Sequence, residues 1–453
     1  MSVDIAQTVY RVIQCFRKEP VFEKLKWLES TQWWSSKEIE QLQLRKLKKI
    51  LNYALHNIPY YQQTLKSYSD LIYNLQSVSQ LGSLPLLTKQ QIRDNFNLLQ
   101  NPKFQGRIKT ESTSGSTGDP MQFIHDRNAG AFARALSYRE HKWYDLNVGD
   151  REARFYGIPM DFNAKLKEKV KDFLMNRKRF CVFDLSEESL NQYYKLINRY
   201  QPGYIYGYTS AVFEFINFMK NHNLRFRGDF VKAIIVTSEV LVNGQREIME
   251  SYLKVPVVNE YGCSEVGIIA AECPQHGLHI SAENIIVEII KNGAPTKPGE
   301  PGEVIITGLN NFAMPLIRYK VGDVAIISAK SCACGRALPL LENIEGRVNN
   351  MVVTPEGKIS SGLVFYYISR SLIENNGGVK KFKVIQNEID RITFQIVKDD
   401  NFEQGNLQAL VKKTHDYLSP KIQVDFEFFS ELPHRTDGKI IHFVSKLQPS
   451  NFQ

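Results

Sequence analysis

From about residue 150 to 262, short apolar runs alternate with longer amphipathic stretches, and this pattern leaves the chain few ways to fold. Tyr204-Ile205-Tyr206 and Ala233-Ile234-Ile235-Val236 are bounded apolar runs of strand length, and residues 186–200, 210–222 and 244–254 carry helical spacing. Consecutive parallel strands need a long crossover, and a helix fills that role. The alternation therefore predicts a mainly parallel sheet with covering helices.

The flanking regions differ. The first hundred residues read as helical. Ser35 and Glu38 form a capping box, behind which Ile39, Leu42, Leu47, Ile50, Leu51, Ala54 and Leu55 recur near helical spacing until Pro59. Residues 278–330 are β-rich, with runs at 285–290, 303–306 and 324–327 separated by turns such as Lys297-Pro298-Gly299-Glu300-Pro301-Gly302. The last hundred residues predict strand 381–386, strand 391–397, helix 402–417 and strand 422–429, a small α+β domain. At roughly 100–200 residues per domain, 453 residues suit two to four domains. The expected fold is α/β: a large N-terminal domain over 1–346, with a helical start (1–100), an α/β core (101–270) and a β-rich part (271–346). A small α+β domain follows over 347–453.

Net charge is +9, but the basic residues are dispersed and no nucleic-acid recognition motif accompanies them, so nucleic acid is not an expected partner. An anionic membrane surface or a phosphorylated substrate suits the charge as well. The densest basic runs, residues 45–49 and 165–169, read as solvated helix faces. No run of eighteen apolar residues occurs, so no transmembrane helix is expected, and peripheral membrane contact stays open. Met1-Ser2-Val3-Asp4 lacks the basic and apolar regions of a signal peptide, and six cysteines are too few for a disulfide scaffold; both point to the reducing cytoplasm.

The strongest local signal is Thr113-Ser114-Gly115-Ser116-Thr117-Gly118. Glycines let successive backbone N–H groups converge on an anion, and the hydroxyls add donors. A P-loop would end in Gly-Lys-Ser/Thr, whereas Gly118 is followed by Asp119-Pro120. Taken alone, the segment reads equally well as a polar turn.

Four later segments change that. Glu260-Tyr261-Gly262-Cys263-Ser264-Glu265 resembles the Tyr-Gly-x-Ser/Thr-Glu motif of adenylate-forming enzymes, and Arg318-Tyr319-Lys320-Val321-Gly322-Asp323 resembles their Arg-Tyr-x-x-Gly-Asp motif. Residues 345–350 resemble their Gly-Arg-x-x-Asp hinge, and residues 432–440 their C-terminal Pro-Arg-Thr-x-x-Gly-Lys motif. Within that superfamily the likeness is to the phenylacetate–CoA ligase branch, extending to the CapK-type proteins linked to capsular polysaccharide synthesis. Residues 57–61, 236–239 and 332–336 carry it.

The resemblance implies ATP-dependent activation of a carboxylate as an acyl-adenylate, then transfer to a thiol, amine or hydroxyl with release of AMP. Two anions must meet in the first step, so the site must supply positive charge and oriented donors. Ser112, Thr113, Ser114, Gly115, Ser116, Thr117 and Gly118 would cradle the β- and γ-phosphates. Glu265 would hold Mg²⁺, and Ser264 would donate to the α-phosphate. Tyr261, with Glu260 and Gly262 beside it, would stack on adenine, and Thr237, Ser238 and Glu239 would line the adenine pocket. Asp323 would accept from the ribose hydroxyls, and Arg347 would sit near ribose or phosphate. Lys439 would bridge the substrate carboxylate and the α-phosphate. Tyr156, Gly157, Tyr206, Gly207 and Tyr208 would line the acyl pocket. In the family the small domain rotates about the hinge near 347–350 between the two half-reactions.

Two departures from the family pattern stand out, one at the hinge and one that bears on the acceptor. Asn349 and Asn350 stand where the family hinge carries Asp, and Thr354-Pro355-Glu356-Gly357-Lys358, a hairpin-turn sequence, replaces the branch's usual segment after the hinge. That segment helps form the thioester-competent face in CoA ligases. The replaced segment favours amide or ester formation in surface-polysaccharide synthesis over a phenylacetate-type acyl-CoA ligase. A catalytically silent nucleotide-binding protein is the reading from another class, and the retained Glu265, Asp323, Arg347 and Lys439 argue against it.

Cys273 and His276, with Cys332 and Cys334, supply three thiols and one imidazole, the donor set of a closed structural zinc site. Some members of the branch carry such a site. His279 is an alternative ligand, and reduced cysteines packed in loops are the plain alternative.

Overall fold

The computed structural model describes residues 3–112, 121–157, 162–239, 241, 244–344, 351–357, 359–361, 364–365, 368, 378–398, 402–403, 405–430, 432 and 443–447. It divides into two compact units. The first draws on Met1–Thr113, Met121–Gly149 and Val258–Gly346; the second holds Asp150–Val257 and Arg347–Gln453.

In the first unit the expected capping box is present: Ser35 Oγ accepts from the Glu38 N–H while the Glu38 carboxylate accepts from the Ser35 N–H at 2.8 Å. It starts the helix Ser36–Asn57, which buries Ile39, Leu42, Leu47, Ile50, Leu51 and Ala54. Within the basic run at 45–49, Lys46 departs from expectation, while Arg45 and Lys49 are exposed. Lys46 turns inward between the rings of Trp27 and Phe132 (4.8 and 4.5 Å to the centroids), and donates to the Glu283 carbonyl at 2.7 Å and to Asn310 Oδ1 at 3.0 Å. A long stem that packs on aromatic faces lets a lysine serve the interior.

The β-rich part is antiparallel throughout. Its strands lie in the order Ala294–Pro295, Ile285–Lys291, Pro301–Gly308, Tyr319–Ile327, Leu340–Ile344, Leu278–Ile280, Gly267–Glu272 and Val257–Cys263. A separate hairpin pairs Ile108–Ser112 with Gln122–Asp126, and Asp126 caps the helix Arg127–Lys142 through the Ala129 N–H. Arg139 of that helix is fully buried and donates to Glu283 at 2.8 Å and to Glu140 at 3.2 Å.

The second unit carries the expected parallel sheet, in the order Arg177–Cys181, Glu152–Tyr156, Tyr204–Tyr208, Ala233–Thr237. Helices Phe162–Leu174, Glu187–Tyr200, Thr209–Asn221 and Gln245–Leu253 connect or follow the strands. Strand alternation sorts the two faces. Ala153, Phe155, Phe180, Ile205, Ile234 and Val236 point into an apolar core with Val212, Phe215 and Ile216, while Glu152, Arg154, Tyr204, Tyr206, Arg177 and Arg179 line the opposite face. Gly207 is required here, because a Cβ at that position would stand 2.5 Å from the Phe155 carbonyl oxygen.

The C-terminal segment builds its own α/β domain, with strands in the order Gln423–Phe429, Arg391–Lys398, Val379–Glu388, Phe443–Ser445 and the helix Gly405–Tyr417. Of the hairpin turn expected at 354–358, residues 354–357 are described: the Gly357 N–H donates to the Thr354 carbonyl at 2.9 Å, and Met351–Val353 pairs with Ile359–Ser361.

Candidate active site and metal centre

Two tyrosine–carboxylate pairs organise the motif residues of the first unit. Glu265 is buried and its carboxylate accepts from the Tyr319 hydroxyl at 2.7 Å. Tyr261 donates its hydroxyl to Asp323 Oδ2 at 3.0 Å. Each pair joins the segment 260–265 to the segment 318–323, so two motifs 54 and 62 residues apart meet side chain to side chain. Glu260 is buried beside them, whereas Ser264 is exposed. The arginine of the second motif has a different use. Arg318 sits at φ 50, chelates Glu288 at 3.1 and 3.0 Å, and donates to the Gly82 and Leu84 carbonyls, so it clamps the chain.

Three residues of this cluster carried no role in the sequence reading: Tyr319, His125 and Glu111. His125 Nδ1 lies 3.0 Å from Glu111 Oε2, and its Nε2 lies 2.8 Å from the Glu265 carbonyl oxygen. Burial raises the Glu111 pKa, but hydrogen bonds and charge from His125 and Lys109 outweigh it and hold the carboxyl down to about 2. Tyr319 was legible as part of its motif. Glu111 and His125 flank the glycine-rich segment; the hairpin brings them together, and His125 alone reaches the Glu265 carbonyl.

In the second unit the Glu239 carboxylate accepts from the Ser210 N–H at 2.7 Å, and its backbone carbonyl accepts from Thr209 Oγ1 at 3.0 Å. Thr237 ends its strand and Ser238 follows at φ 70. Tyr156 stacks on Tyr206 (5.8 Å, 15°) and tilts against Tyr208 (4.4 Å), with the Arg154 guanidinium over Tyr156 and Tyr206. The Gly157 carbonyl accepts from Arg179 Nη1 at 3.2 Å. Three of the five acyl-pocket expectations thus form one aromatic cluster. Ser112 ends the first hairpin strand. Thr113, Ser114, Gly115, Ser116, Thr117, Gly118, Arg347 and Lys439 lie outside the described residues.

The thiol cluster corrects one expectation. Cys273, His279, Cys332 and Cys334 bring four ligand atoms within 4.8 Å of one another. His279, and not His276, completes the set. His276 adopts φ 58 in the turn after Cys273, is 66% exposed and meets Glu272 at 3.1 Å. His279 lies in the strand Leu278–Ile280, fully buried, with Leu340 opposite it in the register that brings the 332–334 loop close. Its Nδ1 faces the Leu338 carbonyl at 3.4 Å and its Nε2 faces Cys334 Sγ at 3.2 Å. Cys273 and Cys332 sulfurs are 3.5 Å apart as free thiols. Tetrahedral zinc with bonds near 2.3 Å sets its sulfurs roughly 3.8 Å apart, so the donor set fits the ion. Gly277 leaves room for it, because a Cβ there would stand 2.5 Å from Cys332 Sγ. Burial pushes the Cys273 thiol up to about 12 and the His279 imidazole down to about 4; a bound cation reverses the thiol's case.

Residues 352–446 match the family model of the CapK C-terminal domain. The chain is 25% identical to CapK of Staphylococcus aureus over 89% of its length and 88% of that protein. It is 25% identical to the phenylacetate-coenzyme A ligase of Escherichia coli K12 over 70% of this chain and 72% of that one. Among solved structures, 2-hydroxyisobutyryl-CoA ligase in its postadenylation state superposes with a TM-score of 0.58 at 16% identity, covering 92% of this chain and 91% of that one, a likeness of fold. The C-terminal segment thus matches the CapK C-terminal domain, and the chain is similar over most of its length to CapK and to phenylacetate-coenzyme A ligases.

Proposed function

We propose that this chain activates a carboxylic acid with ATP and passes the acyl group to an amine or hydroxyl, with surface-polysaccharide synthesis as the setting. The Glu265–Tyr319 pair carries this reading, because it fixes a buried carboxylate inside the adenylation motif. A carboxylate oxygen of the acid attacks the α-phosphorus of ATP, the bond to the pyrophosphate oxygen breaks, and an acyl-adenylate forms. Glu265 would hold Mg²⁺, which when bound neutralises phosphate oxygens. Tyr319 locks the Glu265 rotamer, and His125 tethers the Glu265 main chain. Asp323, held by Tyr261, is assigned to the ribose hydroxyls, and Lys439 to the developing charge between carboxylate and α-phosphate. The acceptor then attacks the acyl carbon and AMP leaves with the bonding pair.

The sequence at 354–358, which replaces the branch's usual segment after the hinge, supports an acceptor other than CoA. A pyrophosphate-release screen over aryl acids, fatty acids, amino acids and uronic acids tests the first step. With the active acid, AMP formation is expected to be unchanged by CoA; a large CoA-dependent rise, with acyl-CoA as product, would make the chain an acyl-CoA ligase. The cluster of Cys273, His279, Cys332 and Cys334 is assigned to one structural zinc that staples the loops at 273–279 and 332–334. Elemental analysis should find about one zinc per chain, and its absence from protein made with zinc available would remove the assignment.

A further inference from the structure

The helix Phe162–Leu174 faces the wrong way for an ordinary surface helix. Two of the residues it turns inward are acids. Glu168 accepts from Arg179 at 2.5 Å, and Asp172 accepts from the same guanidinium at 3.0 and 3.1 Å and pairs with Arg177. Three of its large apolar residues point to solvent: Leu166 is 52% exposed, Val170 51% and Phe173 69%. At roughly 100° per residue these three fall within about 60° of one another. The same wheel sets Lys165 and Lys169 along one border of the stripe and Lys167 along the other, all three exposed. A surface helix normally buries its apolar stripe and exposes its charges; here the ion pairs anchor the helix and the stripe is presented outward.

We propose that this helix is a docking surface for an anionic lipid bilayer. An apolar ridge bordered by lysines is the composition that lies in a bilayer interface, with the ridge among the acyl chains and the ammonium groups at the phosphates. The flanking lysines select a negative surface. A second copy of the chain is the weaker occupant, since its own lysines would face these, and three side chains fall well short of the roughly 800 Å² per partner of a stable interface. No helix among the described residues is long and apolar enough to cross a membrane, so the contact is peripheral.

The test is co-sedimentation of the full chain with vesicles of phosphatidylcholine, with and without phosphatidylglycerol. Binding to the anionic vesicles is expected to exceed binding to neutral ones by about tenfold or more and to weaken with salt. Leu166→Gln/Val170→Gln/Phe173→Gln and Lys165→Gln/Lys167→Gln/Lys169→Gln should each abolish it while keeping the wild-type melting temperature. Hydrogen exchange of the wild-type chain with and without vesicles covers the case of a variant that fails to fold, and should show protection over 162–174. Equal binding to both vesicles, binding unchanged in the variants, no protection in this helix, or a dimer lost in the apolar variant would each overturn the proposal.

Discussion

The two lysine-rich helices, Ser36–Asn57 and Phe162–Leu174, look alike in sequence and are used in opposite ways. The first buries six apolar residues and draws Lys46 in beneath Trp27 and Phe132. The second pairs half-buried Glu168 and buried Asp172 with arginines and leaves Leu166, Val170 and Phe173 outside. A run of basic residues therefore says nothing by itself about solvation. What decides is the neighbour each helix face meets: aromatic rings and carbonyl oxygens in one case, guanidinium groups in the other.

The sharpest way to break the comparison is Lys46→Glu. A carboxylate there would face the Glu283 carbonyl oxygen and the Asn310 side-chain oxygen in place of a donor, and should cost roughly 3 kcal/mol or more in denaturant unfolding. A cost under about 0.5 kcal/mol, the level of a surface substitution, would return Lys46 to the solvated class. Lys46→Met keeps the stem between the rings and should stay within about 1 kcal/mol of wild type at pH 8.

The pH dependence sharpens the same contrast. Burial pushes Lys46 from its ordinary 10.5 down to about 7, against the pull of Glu283. Between those values the unfolded chain binds more protons, so stability should rise from pH 7 toward 10.5. Glu140 behaves oppositely: burial raises it from 4.5 to about 8 against the pull of Arg139, so its contribution is present below 4.5 and lost as pH rises to 8. Lys46→Met should flatten the rising limb and Glu140→Gln the falling one, both read from unfolding midpoints across pH. The smallest effect is expected in the other helix. Lys165→Gln, Lys167→Gln and Lys169→Gln should each change stability by less than about 0.5 kcal/mol at any pH.

Much of the architecture was legible because it is locally encoded. The Ser35–Glu38 box, the apolar spacing behind it, the alternation from 150 to 262 and the 354–358 turn are all short-range signals. The motifs at 260–265 and 318–323 were legible as segments, but their pairing was not. Tyr319 meets Glu265 and Tyr261 meets Asp323 through long-range side-chain hydrogen bonds, which no local pattern records. The metal cluster went astray for a related reason. His276 is nearer to Cys273 in sequence, yet its turn aims it outward, while the strand at 278–280 carries His279 into the thiols. Lys46 was misread because the aromatic pocket that receives it comes from two other helices.

Adenylate formation is tested most directly by the fate of label from [γ-³²P]ATP, mixed with the protein and the acid that releases pyrophosphate. Label should appear in pyrophosphate, with one unlabelled AMP per turnover and an acid-labile acyl-adenylate trapped at early times. Glu265→Gln should lower that rate by roughly 10²–10³-fold, the scale for losing one preorganised electrostatic group. Label in orthophosphate with ADP as the nucleotide product, or full activity in Glu265→Gln, would contradict the assignment.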